Sequence, residues 1–263
     1  MEAAASARPH PGLVRLVRRR LAASLVAAQR RAVGTITHVA TDSRAVALTF
    51  DDGPDPRTTP RVLQLLEDFG VRATFFMVGD SAARAPALVR EVAAAGHAIG
   101  NHSWSHPPFP AISGRERRRQ LRDCATALAP YGLRLFRPPY GEQSLASRLD
   151  ALALGYRVVT WSVDPRDYKE RDGVVLAAKL LGEIRPGSIV LLHDGIFEDQ
   201  DRHLHFEPRQ APIHEPREEM LTALRQVLSQ LTPVFQFVTL PELLRLGRPV
   251  RAKWWYDSRE ART

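Results

Sequence analysis

Cysteine is all but missing from this chain. Cys124 is the only one in 263 residues, which excludes an intrachain disulfide and a cysteine-built zinc cluster alike. Leu121 and Leu128 recur with it at helical spacing, so it reads as a small core residue. Also missing is any apolar run long enough for a signal-peptide core or a membrane span. The expected location is therefore the cytoplasm or the cytoplasmic face of a membrane. No Gly/Ser-rich linker and no repeat period divides the chain, which points to one large α/β domain with ample apolar content for a core. Negative charge is scarce at the start: residues 1–34 hold Arg8, Arg15, Arg18, Arg19, Arg20, Arg30 and Arg31 against Glu2 alone, so they carry +6 of the net +8 and leave the rest nearly neutral. No recognised nucleic-acid-binding module accompanies this charge, and no nucleic-acid partner is expected.

Within that arm Leu13, Val14, Leu16, Val17, Leu21, Leu25 and Val26 fall near one helical face with arginines interspersed, the pattern of a basic amphipathic helix. Three readings are open for it: an extra layer along the outside of the domain, peripheral contact with an anionic membrane surface, or disorder.

From residue 45 the pattern alternates. The apolar run Ala45-Val46-Ala47-Leu48 leads into Thr49-Phe50-Asp51-Asp52-Gly53-Pro54, and a helix from Pro60 through Phe69 is stopped by Gly70. Strands are expected over Ala73–Val78, His97–Gly100, Leu133–Phe136, Tyr156–Trp161, Ser188–Leu192 and Val234–Val238, separated by helices over Pro86–Ala95, Gly114–Leu128, Leu145–Leu154, Val174–Leu181 and Glu218–Leu231. Strands that are continuously apolar, each followed by a helix, imply a parallel sheet covered by helices. For a chain of this length the natural outcome is a deformed (β/α) barrel of seven or eight strands, with its working groups where the strands end.

Those strand ends carry polar clusters. Adjacent carboxylates where a buried strand gives way to a Gly-Pro turn repel each other unless a cation or a proton sits between them; taken alone, the hexapeptide reads as a solvated turn. His102 and His106, four apart in Asn101–Pro107, can face one ion, although a pair of satisfied loop histidines has the same signature. With Asp52 they make a two-His, one-Asp set that leaves positions open for water and substrate. In Phe136-Arg137-Pro138-Pro139-Tyr140-Gly141 two prolines lack amide hydrogens, so the Tyr140 N–H is the next that can be held in a fixed direction; the plainer reading is a rigid loop with a surface arginine. His193, directly behind Ser188–Leu192, must emerge at the rim of the core, where it can act as a general acid if a carboxylate holds its tautomer.

Five segments in order, TFDDGP, NHSWSH, FRPPYG, the Asp164/Asp167 segment and LLHDG, resemble the signature set of the polysaccharide deacetylases, the NodB-type carbohydrate esterases. The resemblance spans about residues 45 to 240. It implies that Asp51 is the general base, that Asp52, His102 and His106 bind a divalent metal, usually zinc, and that Arg137 orients and charges Asp51. It further implies that the Tyr140 backbone N–H helps hold the oxyanion, that His193 is the general acid tuned by Asp167, and that Leu191 lines the pocket for the acetyl methyl, with Trp161 and Tyr168 as aromatic walls. At position 168 the family commonly has Trp, so the pocket here is altered and gains a hydroxyl. The implied activity is hydrolysis of the N-acetyl group of an N-acetylated amino sugar in peptidoglycan, a chitooligosaccharide or a related envelope saccharide. Rival readings are a deacetylase or amidase of a small cytosolic metabolite and a saccharide-binding module without catalysis. The oligomeric state is left open.

The resulting division is an arm over 1–34, a catalytic domain over 35–247 and a basic, aromatic tail over 248–263. The polar connection from Ile196 to Arg217, with His203, His205 and His214, is long enough to be a lid or binding loop, with a second metal site built from its histidines and a plain mobile surface excursion as the other readings. Trp254-Trp255-Tyr256 offers a sugar-stacking platform, a tail folded on the barrel bottom or an interfacial anchor.

Overall fold

Among the described residues nine strands form: β1 (Thr35–Ala40), β2 (Ala45–Asp51), β3 (Thr74–Met77), β4 (Ala98–Asn101), β5 (Gly132–Phe136), β6 (Arg157–Val158), β7 (Ile189–His193), β8 (Gln236–Phe237) and β9 (Arg248–Ala252). They come from a computed structural model that describes residues 33–196 and 217–252. Every residue of β2, β3, β4 and β7 is buried, as expected of parallel strands covered on both faces.

Six strands follow one another in the order β6-β5-β4-β3-β2-β7, all in parallel pairs, and β8 lies parallel to the first residues of β2 to make a seven-stranded sheet. The sheet curls. The chain leaving β6 reaches β7, where Val163 bridges Val190 in parallel fashion and the Leu191 N–H donates to the Val163 carbonyl at 2.9 Å. This is the expected deformed barrel. β6 is shorter than the expected Tyr156–Trp161 because beyond Val158 the backbone changes partners, and the Thr160 N–H donates to Ile36 of β1 at 2.8 Å.

Helices Thr59–Asp68, Pro86–Ala94, Gly114–Ala127, Leu145–Ala153, Gly173–Glu183 and Glu218–Leu231 flank the sheet and bury their apolar stripes against it in a core that includes Val62, Leu66, Val92, Leu180 and Leu224. Local signals set their ends. Ser113 and Asp172 accept the first free N–H groups of their helices, and Ser144 closes a capping box with Ser147. Inside the core Phe50 stacks on Phe75 with ring centroids 5.0 Å apart. Cys124 is buried with its thiol pushed up to about 12 by burial.

The expected domain end at residue 247 falls just before β9, which pairs antiparallel with β1 from Thr35↔Ala252 to Ala40↔Arg248. Neither strand showed the continuous apolar run of the parallel sheet: β1 reads TITHVA and β9 reads RPVRA. The helix expected within residues 1–34, the His203, His205 and His214 stretch, and Trp254-Trp255-Tyr256 lie outside the described residues. Among the described residues no helix is long and apolar enough to cross a membrane.

β1 is tied to the barrel at Gly187. The Gly187 N–H donates to Ala45 at 2.8 Å and its carbonyl accepts from Val39 at 3.0 Å. Its φ is +80°, and an added Cβ would collide with the Val39 carbonyl, so this position demands glycine on two counts. Gly187→Ala is expected to lower stability by more than ~1 kcal/mol, read as a lower urea midpoint; a midpoint equal to wild type would contradict this account of the junction.

Candidate active site

Parallel strands deliver their last residues to one rim, and the polar residues of the sequence sit there. Asp51 ends β2, Asn101 ends β4, Phe136 ends β5 and His193 ends β7. The β2–β7 register sets Asp51 directly beside His193. A cleft at this rim is lined by Asp51, Asp52, His102, His106, Tyr140, Trp161, Tyr168, Leu191 and His193, together with Gly141 and Asp164. Arg137 lies beneath it and Asp167 behind His193. The structure thus brings all eleven expected site residues together.

Three of them form a compact donor set. The ligand atoms of Asp52, His102 and His106 lie within 4.8 Å of one another, all buried, with Asp52 Oδ1 3.3 Å from His102 Nε2 and 3.2 Å from His106 Nε2. His102 Nδ1 lies 2.7 Å from the Arg137 carbonyl; since a carbonyl only accepts, Nδ1 is the donor of that bond, which turns Nε2 toward the donor set. Burial is the largest influence on His106 and lowers its pKa despite the nearby Asp52, so its imidazole is neutral. Burial alone would raise the Asp52 carboxyl, but the two imidazoles outweigh it and hold it well below the usual carboxylate range. One carboxylate and two imidazoles converging in a buried site fit a divalent cation.

The loop bearing these histidines is held by its neighbours. Gln120 Oε1 accepts the N–H groups of Trp104 and Ser105 at 2.9 Å each, Asn101 Oδ1 accepts that of Ser103 at 2.9 Å, and Ser103 Oγ accepts that of His106 at 3.1 Å. The scaffold has to be firm because the backbone is strained. The non-glycine residues with positive φ among the described residues are Asp52, Ser103, His106, Tyr140 and Arg166, and each lies in a loop that carries the site.

Asp51 stands beside the donor set without joining it. Its Oδ1 accepts from Arg137 Nη1 at 2.7 Å and its Oδ2 is 3.8 Å from His102 Nε2. Arg137 is fully buried; the same Nη1 donates to Thr49 Oγ1 at 2.7 Å, Nη2 donates to the Thr160 carbonyl at 2.9 Å, and the guanidinium lies over Phe76, 4.2 Å from the ring centroid. Burial lowers its pKa and Asp51 opposes that shift. Across the cleft His193 Nδ1 lies 2.8 Å from Asp167 Oδ1, which leaves Nε2 as the ring nitrogen available to the cleft. Burial pulls the His193 pKa down, but Asp167, with help from Asp52 and Asp51, outweighs it and raises the value to about 9. Tyr168 meets the His193 ring edge-on with centroids 5.4 Å apart, and Tyr140 meets His106 in the same way at 4.6 Å.

Several supporting groups were not anticipated. Thr49, named only within TFDDGP, and Thr160, named only within an expected strand, both fix Arg137. Asp194, quoted only as part of LLHDG, is buried and accepts from Thr59 Oγ1 at 2.5 Å, with its carboxyl pushed up to about 7 by burial. Arg217, taken as the end of a polar connection, places Nη2 2.6 Å from Asp167 Oδ2. No local pattern marks it, since the fold alone brings positions 217 and 167 together.

Comparison with known proteins agrees with this geometry. A family model described as polysaccharide deacetylase matches residues 38–159. A peptidoglycan-N-acetylglucosamine deacetylase of Bacillus cereus is 36% identical over 208 residues, 77% of this chain and 69% of the relative. A chitooligosaccharide deacetylase of Azorhizobium caulinodans is 36% identical over 203 residues, 76% of this chain and 93% of the relative. The crystal structure of a peptidoglycan N-acetylglucosamine deacetylase in complex with 4-naphthalen-1-yl-N-oxidanyl-benzamide superposes with a TM-score of 0.70 and 31% identity, covering 84% of this chain and 97% of that one.

If the three ligands hold a cation, binding stabilises the native state by mass action, about 2.7 kcal/mol at a hundredfold excess over Kd. Titrating a divalent ion into chelator-treated protein is expected to raise the melting temperature, and His106→Ala is expected to abolish the rise. A variant that still responds like wild type would remove His106 from the ligand set.

Proposed function

The chain belongs to the polysaccharide deacetylase family, and on that premise we propose that it hydrolyses the N-acetyl group of an N-acetylated amino sugar in peptidoglycan or a chitooligosaccharide, releasing acetate and a free amine. One observation carries this reading: a two-His, one-Asp donor set flanked by an Arg-held carboxylate on one side and an Asp-held imidazole on the other. Both relatives named above act on N-acetylated saccharides according to their names. Zinc is the proposed ion, because borderline nitrogen donors with one carboxylate and open positions suit it well. When bound, such an ion supplies Lewis-acid polarisation and lowers the pKa of water to near ~7.

The residues divide the proton transfers between them. Asp51, its Oδ1 occupied by Arg137, takes the proton of the attacking water on its other oxygen. Attack on the acetamide carbon puts negative charge on the former carbonyl oxygen, toward which the Tyr140 backbone N–H is directed in this assignment. His193, held through Nδ1 by Asp167, delivers the Nε2 proton to the departing nitrogen, and the C–N bond breaks. Leu191 supplies an apolar wall for the acetyl methyl, while Trp161 and Tyr168 flank the sugar. Base and acid stand on adjacent strands, so one amide bridges both.

Acetate release from chitooligosaccharides and from peptidoglycan fragments tests the activity and ranks the two substrate classes; a metal-loaded protein inactive on both would refute the reading. Asp51→Asn is expected to lower kcat by roughly 10²–10⁴-fold, the range for a lost general base, while the cation remains bound. Activity close to wild type would end the role given to Asp51.

The acid has a pH signature. Protonated His193 is present below its raised pKa of about 9 and is lost as pH rises through it, so the rate falls on the alkaline side. Asp167→Asn removes the main influence opposing burial, and the alkaline limb of kcat/KM is expected to move to lower pH. A limb that stays in place would separate it from His193.

A further inference from the structure

Asp167 is buried to 0% side-chain exposure, and both of its carboxylate oxygens are engaged. Oδ1 faces His193 Nδ1 at 2.8 Å, and Oδ2 accepts from the His193 backbone N–H at 2.9 Å and from Arg217 Nη2 at 2.6 Å. The same Nη2 also donates to the Asp167 backbone carbonyl at 3.0 Å. Arg217 therefore grips Asp167 by side chain and main chain at once, with its own side chain only 4% exposed.

The grip has a firm base. Arg217 is the N-cap residue of helix Glu218–Leu231, whose first turn crosses closely over the start of helix Gly173–Glu183. An added Cβ on Gly173 would strike the Glu219 carbonyl and the Thr222 side chain, so these two helix starts are in contact just beyond the segment that carries Asp167.

A carboxylate has two equivalent oxygens, and nothing intrinsic to it selects which one faces an imidazole. Pinning Oδ2 leaves Oδ1 as the acceptor for Nδ1–H, which fixes both the ring orientation and the tautomer with Nε2 toward the cleft. A buried carboxylate also needs opposite charge to stay in place. Arg217 supplies it on the side away from substrate.

We propose that Arg217 is a positioning residue for the hydrolysis: it holds Asp167 in the orientation that fixes His193, without touching substrate. The inference rests on the acid role given to His193 above. It adds a structural link between the donor of that proton and the far side of the long connection, so the loop's return point and the acid are mechanically one unit.

A double-mutant cycle in the metal-loaded full chain tests it, with acetate release from a chitooligosaccharide as the assay. Arg217→Met is expected to lower kcat by roughly 10–100-fold, the range for outer partners of active-site imidazoles, with KM within about twofold of wild type. Arg217→Lys, whose single nitrogen can reach both Asp167 oxygens that Nη2 now serves, is expected to recover most of that loss. In an Asp167→Asn background Arg217→Met is expected to change kcat by less than about twofold, because residues acting through one another are not additive. Equal losses in both backgrounds, or an unchanged kcat in folded Arg217→Met, would overturn the proposal. A second measurement is independent of turnover: the downfield proton resonance of His193 Nδ1–H, assigned by its loss in His193→Gln, is expected to vanish in Arg217→Met and persist in Arg217→Lys. Its persistence in Arg217→Met would also overturn the proposal. Should wild type release no acetate, the functional reading fails while the resonance still decides the link. Arg217→Gln carries the same comparisons if the Met variant does not fold.

Discussion

The site depends first on Arg137. Its side chain holds Asp51 and Thr49, its second terminal nitrogen holds the Thr160 carbonyl, and its own carbonyl orients His102. One residue thereby fixes both the carboxylate beside the donor set and one of the imidazoles within it. A fully buried guanidinium is tolerable only because so much meets it: the carboxylate of Asp51, the Thr49 hydroxyl, the Thr160 carbonyl and the face of Phe76. The barrel provides these from β2, β3 and the chain beyond β6. The distance between the parts of the site is therefore set by strand spacing, which does not stretch.

Strain is the other half of the design. Left-handed backbone at Asp52, His106, Tyr140 and Arg166 costs of order 1–3 kcal/mol each for residues other than glycine, and it persists only where the surroundings over-determine it. Gln120, Asn101 and Ser103 do this for the histidine loop through hydrogen bonds to its amides. The core below, with Phe50 on Phe75 and a parallel sheet buried on both faces, provides the rigid base against which the loops are bent.

Much of this was legible before any coordinates. The strands β3, β4 and β7 are short, largely apolar runs that end at the rim, and helix Glu218–Leu231 has the expected limits. Asp51, Asp52, His102, His106 and His193 stand out because polar residues directly after buried strands must meet at one rim; their separate roles come from family resemblance, not from spacing. What stayed hidden was whatever only tertiary contact defines. Thr49 and Thr160 look like ordinary strand residues, Arg217 looks like the end of a loop, and β1 and β9 lack the apolar run because they pair as an antiparallel ribbon outside the parallel sheet. The change of partner after Val158 likewise depends on β1, which lies far away in sequence.

The β1–β9 ribbon joins Thr35 to Ala252, so the first strand described here waits for a mate translated more than two hundred codons later. While the chain is still emerging from the ribosome, β1 can rest on β6 and β7, but β9 is not yet there to pair with it. Until β9 is made, the edge of β1 that it pairs with lacks its partner strand, the kind of edge that recruits chaperones or neighbouring chains, and the ribbon closes only afterwards.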